Sequence, residues 1–319
     1  MIQVQTEKIG AMIQMERIKH GKLYQYRVYL IMLLPAVAYF LIFSYLPMTG
    51  VVIAFKEFTY DGGIFKSPWV GLKNFRFFFE SGQALRVTLN TLLYNGTFLI
   101  VNTVLQLLVA IVLSELAGRG FKKTLQSALL LPHFISWVIV GAFVYNLLNY
   151  RYGALNSLLT ALGMDPIDVY SLPAAWKYII VFFNAWKGVG YGSIVYLAAI
   201  LGIDRSIYEA AEMDGANIFQ KIRYITLPEL KSTIIIMTLM SIGGIFRGDF
   251  SMFYQLVGNN GLLFNATDVI DTFVFRSLMT TQEFGMSAAV GLYQSVLCFI
   301  LIMITNRTVK KIDPDSALF

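Results

Sequence analysis

Charge is what this chain has least of. Only 14% of its 319 residues are Asp, Glu, Lys or Arg, against 57% hydrophobic residues. A soluble domain is about a quarter charged, so this surface cannot all be turned to water. One cysteine, Cys298, rules out a disulfide framework within the chain. With only His20 and His133 beside it, there is no ligand set for a structural zinc. No G-x-x-x-x-G-K-[ST] stretch is present to cradle phosphates. The glycine-rich GVGYG (Gly188–Gly192) lies inside an apolar run and follows no strand, which argues against a dinucleotide loop. No Ser/His/Asp or Cys/His arrangement is visible. The chain is therefore expected to be no enzyme and to hold no cofactor or metal of its own. Energy must come from another polypeptide.

What the chain has is long apolar runs. About 20 such residues cross a bilayer as a helix, and six runs qualify: 28–50, 90–116, 125–149, 176–202, 232–256 and 284–306. The expected fold is an all-α membrane protein with six transmembrane helices over 28–306. Pro35 and Pro132 fall inside runs, which membrane helices tolerate when neighbours satisfy the freed backbone groups. No small-residue cleavage site follows the first run, so it reads as an uncleaved span rather than a signal peptide.

Lys and Arg divide unevenly between the two sides. The N-terminal segment, the 117–124 turn, the 203–231 loop and the C-terminus carry 15, and the opposite connections carry eight. The positive-inside rule then puts both termini and the 203–231 loop in the cytoplasm, and an even number of spans agrees. This bias also accounts for the net charge of +6 without nucleic acid. Residues 1–27 mix apolar and basic positions and read as an interfacial helix on membrane lipid. Residues 56–86 read as an ordered external loop with short helix, and 307–319 as a cytoplasmic tail. No internal repeat is visible.

The most polar interruption is EAAEMDGANIFQKIRYITLPEL, Glu209–Leu230. A helix over 206–214 puts Ala210 and Met213 on one side, with Glu209, Glu212 and Asp214 elsewhere. Gly215 is expected to end it, since glycine accepts the left-handed conformation found there. A second helix from Asn217 places Ile218, Ile222 and Ile225 at i, i+4 and i+7 with Phe219 alongside. Lys221 and Arg223 are expected to project from its other faces, and Pro228 to stop it. On the residues alone, two readings stand: an amphipathic helix resting on headgroups, or a docking helix inserted into a partner's groove.

Glu209-Ala210-Ala211, then Gly215, then Ile225-Thr226-Leu227-Pro228 resembles the EAA signature of binding-protein-dependent ABC importer permeases, in residues, spacing and location. In the first third, MLLPAVAYFLIFSYLPMTGVVIAFKEF and the Trp69–Phe75 element WVGLKNF are similar to sugar permeases of the maltose and glycerol-phosphate type. The likeness is greatest to their oligosaccharide and polysaccharide branch, the LplB-like proteins. Together these cover nearly the whole chain. The resemblance implies a type I ABC importer permease fold in a bacterial cytoplasmic membrane. It implies a loop (Glu209, Ala210, Ala211, Asp214, Gly215, Ile218, Phe219, Ile222, Ile225, Leu227, Pro228) that fits a cleft on an ATP-binding subunit. The implied partners are a second homologous permease, two ATP-binding subunits carrying ATP and Mg, an extracytoplasmic solute-binding protein and a saccharide substrate.

Ionisable groups within spans usually face a bundle interior or a water-filled cavity. Asn184, Trp186, Lys187 and Tyr191 on the fourth run, and Arg247, Asp249, Phe253 and Tyr254 on the fifth, form a candidate substrate pathway. Asn90, Asn95, Asn102 and Gln106 add polarity to the second run. Amides and cations beside aromatic rings suit sugars, which present hydroxyls edgewise and apolar faces flat. Interhelical hydrogen bonding, or an Arg247–Asp249 ion pair, would explain the same residues. Lys187 and Arg247 also permit an acidic saccharide. Three other functions compete: the same importer role for an amino acid, polyamine or anion; an ion-coupled secondary transporter; and a membrane enzyme.

Overall fold

The computed structural model describes residues 26–312. The amphipathic segment expected over 1–27 therefore lies outside the described residues except for Tyr26 and Arg27, as does the tail from 313. Within 26–312 the backbone is helical or in short connections, with one isolated bridge between Lys56 and Trp69 and no strand. Helices dominate because hydrocarbon offers no partners to peptide groups, and a helix satisfies them within its own segment.

The elements named below are α1 (Arg27–Phe40), α2 (Gln83–Glu115), α3 (Arg119–Phe134), α4 (Trp137–Leu148), α5 (Pro173–Leu201), α6 (Arg205–Met213), α7 (Ile218–Lys221), α8 (Lys231–Gly243), α9 (Phe250–Val257), α10 (Ile270–Met279) and α11 (Phe284–Ile312). α1 runs on through a π-turn to Phe55. Three helices are long and apolar enough to cross a bilayer by themselves: Arg27–Phe55, Gln83–Glu115 and Phe284–Lys311. Three further pairs, bent by 90°, 71° and 57°, bring the number of candidate spans to as many as six.

Two expected spans are broken. The run 125–149 is α3 and α4, meeting at 90° across Ile135 and Ser136. Pro132 sits in the last turn of α3, and the Ser136 hydroxyl caps α4 by accepting the Ile139 N–H at 3.4 Å. The run 232–256 is α8 and α9, separated by 244–249. Gly243 and Gly244 end the first, and the Asp249 carboxylate starts the second by accepting the Met252 N–H at 3.0 Å.

The core sits where α2 lies along α5. Tyr94 and Phe98 of α2, Trp176, Ile180 and Phe183 of α5, and Phe253 of α9 are buried together. The GVGYG stretch now has a structural reason. A Cβ on Gly190 would lie 1.8 Å from the Leu129 carbonyl oxygen, and one on Gly192 would lie 2.2 Å from the Gln106 side chain. Small residues let membrane helices approach to backbone contact, where packing replaces the hydrophobic drive that lipid removes.

The WVGLKNF element is folded against the end of the first helical run. Asn74 donates from Nδ2 to the carbonyls of Ala54 (2.9 Å) and Lys56 (3.0 Å). Lys56 is buried, donates to the Phe65 carbonyl at 2.6 Å and lies 5.0 Å from the centre of the Trp69 ring.

Candidate coupling surface and translocation pathway

Between α5 and α8 the chain forms a small two-helix knob. Asp204 starts α6, its carboxylate accepting the Ser206 N–H at 2.9 Å, and that bond holds the carboxyl below its usual range. α6 ends in a left-handed glycine, Gly215 at φ +79°. The Gly215 N–H donates to the Glu212 carbonyl (3.0 Å) and the Ala216 N–H to the Ala211 carbonyl (2.9 Å), the paired bonds of a Schellman ending. Asn217 then opens α7, exchanging hydrogen bonds with Gln220 in a capping box.

Two side-chain links hold the knob closed. Lys221 Nζ meets Glu212 Oε1 at 2.6 Å, and the Tyr208 and Thr226 hydroxyls lie 2.9 Å apart. Glu212 raises the Lys221 pKa. Lys221 thus folds onto α6 rather than projecting freely, because the turn at Gly215 brings a carboxylate within its reach. Pro228 does not stop the helix either. A π-turn over Ile222–Thr226 carries the path through Pro228 to Glu229, and the 57° bend follows at Leu230. Ile222 and Ile225 are half-buried, whereas Met213 (91% exposed), Phe219 (79%) and Tyr224 (69%) stand out. Ile218 and Leu227 are partly exposed, and Glu209, Ala210 and Asp214 lie on the open surface. Ala211, Asp214, Gly215, Lys221 and Ile225 help to line a surface hollow of about 250 Å³.

The second cluster lies at the two broken spans. Lys187 Nζ donates to the carbonyls of Pro132 (3.2 Å), His133 (2.6 Å) and Ile135 (2.5 Å). These carbonyls lie at and just past the end of α3, where the helix dipole also favours a cation; that of Pro132 also accepts the Ile135 N–H at 3.3 Å. Across the other break, Asn95 Nδ2 donates to the carbonyls of Ile245 (2.7 Å) and Arg247 (3.0 Å). Gln294 reaches the Phe246 carbonyl at 2.7 Å, and Asp271 accepts the Gly248 N–H at 2.6 Å. One bond ties the breaks together: Trp137 Nε1 donates to Asp249 Oδ2 at 2.8 Å.

This arrangement revises several sequence expectations. Lys187 is occupied by backbone carbonyls. Asp249 pairs with Trp137 and makes no ion pair with Arg247, whose side chain is exposed. Phe253 is 1% exposed and belongs to the core, 5.0 Å from the Tyr94 ring. Asn184 accepts from Asn102 Nδ2 at 2.8 Å, and Tyr191 stacks on His133 with ring centres 4.4 Å apart. Trp186 is exposed, and Tyr254 is partly exposed against Phe250.

Sequence reasoning passed over Trp137, Asp271 and Gln294. Asp271 and Gln294 carried a visible signal, being polar residues in or beside apolar runs. It also missed Asp268, whose side chain is 1% exposed and held by Arg276 through its two terminal guanidinium nitrogens, with Arg86 3.7 Å away. A hollow along α2 and α5, about 530 Å³, is lined in part by Asn90, Tyr94, Thr97, Lys177, Tyr178 and Phe182.

No family model matches the chain. Individual proteins do. Over 286 residues it is 36% identical to Protein LplB of Bacillus subtilis (strain 168), covering 90% of this chain and 89% of that one. It is 35% identical over 295 residues to the polygalacturonan/rhamnogalacturonan transport system permease protein YteP of the same organism, covering 92% and 91%. The chain belongs to the permeases of sugar-type, binding-protein-dependent ABC importers. Two solved structures of a bacterial ABC transporter agree. One, of a transporter involved in importing the acidic polysaccharide alginate, matches with a TM-score of 0.83 at 32% identity, covering 92% of this chain and 98% of that one. The other holds the alginate transporter in complex with its alginate pentasaccharide-bound periplasmic protein and matches with a TM-score of 0.82 at 31% identity, covering 92% and 97%. This permease is accordingly a multi-pass membrane protein and a transport component.

Proposed function

We propose that this permease forms half of the translocation pathway of an ATP-driven importer of oligo- or polysaccharides. It crosses the membrane six times with both termini in the cytoplasm, each broken run counting as one span. It pairs with a second, homologous permease and receives sugar from an extracytoplasmic binding protein. Two ATP-binding subunits supply ATP and Mg. Their closure pulls on the 203–231 knob and swings the spans apart, and the sugar moves along Asn184, Trp186, Tyr191, Arg247 and Tyr254.

The observation that carries this reading is the knob itself. A connection between two spans needs only a few polar residues. This one has two capped helices, a left-handed glycine and a cross-link from Lys221 to Glu212, and it leaves Phe219 and Met213 bare. Exposed aromatic and methionine side chains on a rigid helical frame are what a groove on a partner binds. Resemblance to sugar permeases supports the saccharide.

Glu209→Lys and Phe219→Asp test it. Each is expected to leave the membrane helices folded and to lower co-purification of the ATP-binding subunits and ligand-stimulated ATP hydrolysis at least ten-fold. Unchanged assembly and hydrolysis would make the knob a membrane-surface helix and favour a secondary transporter.

A further inference from the structure

Four charged side chains gather around the broken stretch 244–249, and three of them are already committed. Lys187 binds the carbonyls at the end of α3. Asp249 accepts from Trp137 and from the Met252 N–H. Asp271 accepts from the Gly248 N–H and, at 3.0 Å, from Gln294. Arg247 differs. Its carbonyl is held by Asn95, yet its guanidinium is exposed and, among the described residues, makes no ion pair or hydrogen bond, although it lies within electrostatic reach of Asp271.

That guanidinium has few places to face. Asn95 lies five residues into the apolar run that begins at 90, roughly 8 Å along the helix axis, so the Arg247 backbone sits within the membrane-spanning part of the chain. Non-helical backbone at that depth survives only where protein buries it or it lines water. A cation exposed to hydrocarbon costs about 3 kcal/mol or more. The side chain therefore opens onto the aqueous pathway.

Resting on the saccharide reading, we propose that Arg247 reads a carboxylate on the passing sugar, so that the substrates are acidic, uronate-containing oligosaccharides. The planar guanidinium matches a carboxylate with two parallel N–H···O bonds, which a sugar hydroxyl cannot accept in the same way. At the start of α9, three residues along the chain from Arg247, Phe250 and Tyr254 stack with ring centres 5.2 Å apart, and Phe275 lies against both. They supply apolar area for a pyranose face beside the cation.

The test is equilibrium binding of a galacturonate trisaccharide and of its neutral, carboxyl-reduced counterpart to the assembled permease–ATPase complex, without the binding protein. The wild type is expected to bind the acidic sugar at least ten-fold more tightly. Arg247→Gln should abolish that preference by weakening the acidic sugar at least ten-fold more than the neutral one. Arg247→Lys, which keeps the charge without the fork, should retain only part of it and decides the matter if the Gln variant fails to assemble. Equal binding of both sugars by the wild type, or an equal loss of both in the variants, would overturn the proposal. The second result would fit an Arg247 that pairs with a carboxylate of the second permease. If neither sugar binds or is imported, the saccharide reading itself fails.

Discussion

Lys187 is a charged residue whose hydrogen bonds go to backbone carbonyls, with the Trp137 ring 5.4 Å from its ammonium. Its ammonium meets three of them where α3 ends. Lys187→Met should take the ammonium donor from the half-buried His133 and Ile135 carbonyls and destabilise the protein by about 2 kcal/mol or more. A thermal-shift measurement in detergent would read this, and loss of uptake should track loss of folded protein with no change in sugar preference. In the knob, Asp204 and Lys221 set a pH window with opposite signs. The Asp204 carboxyl is held below its usual value, so its contribution is present above about pH 4 and fades as the pH falls through its folded pKa. The Lys221 pKa is raised, so its contribution is complete below about pH 10 and is lost as the pH rises through the folded value. Spin labels at Arg205 and Arg223 should report a constant separation between about pH 5 and 9 and a broader one once the pH falls through the lowered Asp204 value. Asp204→Asn should remove the acid-side change.

Among the elements, the close approach of α5 to α3 makes a sharper prediction. Gly190 has no room for a methyl group, whereas the nearest atom to a Cβ on Gly188 is 3.8 Å away. Gly190→Ala should cost roughly 1–3 kcal/mol or more and lower the yield of folded permease. Gly188→Ala, on the same helix, should be tolerated. The same helices show what the sequence could and could not reveal. The candidate spans built on α1, α2 and α11 were legible because each is one unbroken apolar run. The breaks at Ile135–Ser136 and 244–249 were not, because apolar residues flank them and what allows them lies far away in the chain. Lys187 is more than fifty residues from the carbonyls of Pro132 and His133, and Asn95 is 150 residues from that of Ile245. Each polar residue could be seen as unusual for its run, but its partner could not. Asp249 was therefore read with its sequence neighbour Arg247 instead of with Trp137. In the knob, the glycine and the capping residues were legible because such chemistry is local. The folding of Lys221 onto Glu212 needed the turn to be in place first.

For the whole molecule, the described chain leaves much apolar surface bare. From Arg27 through Tyr45 no residue is buried, so the first span must be covered by lipid or by a second permease. Its far end, from Leu46 to Phe55, packs on α11. Cysteines placed singly along 28–45 and cross-linked within the assembled transporter should join the second permease from one helical face and react only with lipid-phase reagents from the other. On the proposed reading, the knob, the paired breaks and the exposed Arg247 serve a transporter driven by separate ATP-binding subunits. The most direct test of that account is uptake of labelled oligosaccharide by cells expressing the full transporter, compared under ATP depletion and under collapse of the ion gradients. The account predicts that uptake stops when ATP is depleted and continues, while ATP is maintained, when the gradients are collapsed. Uptake that survives ATP depletion and stops with the gradients would contradict it.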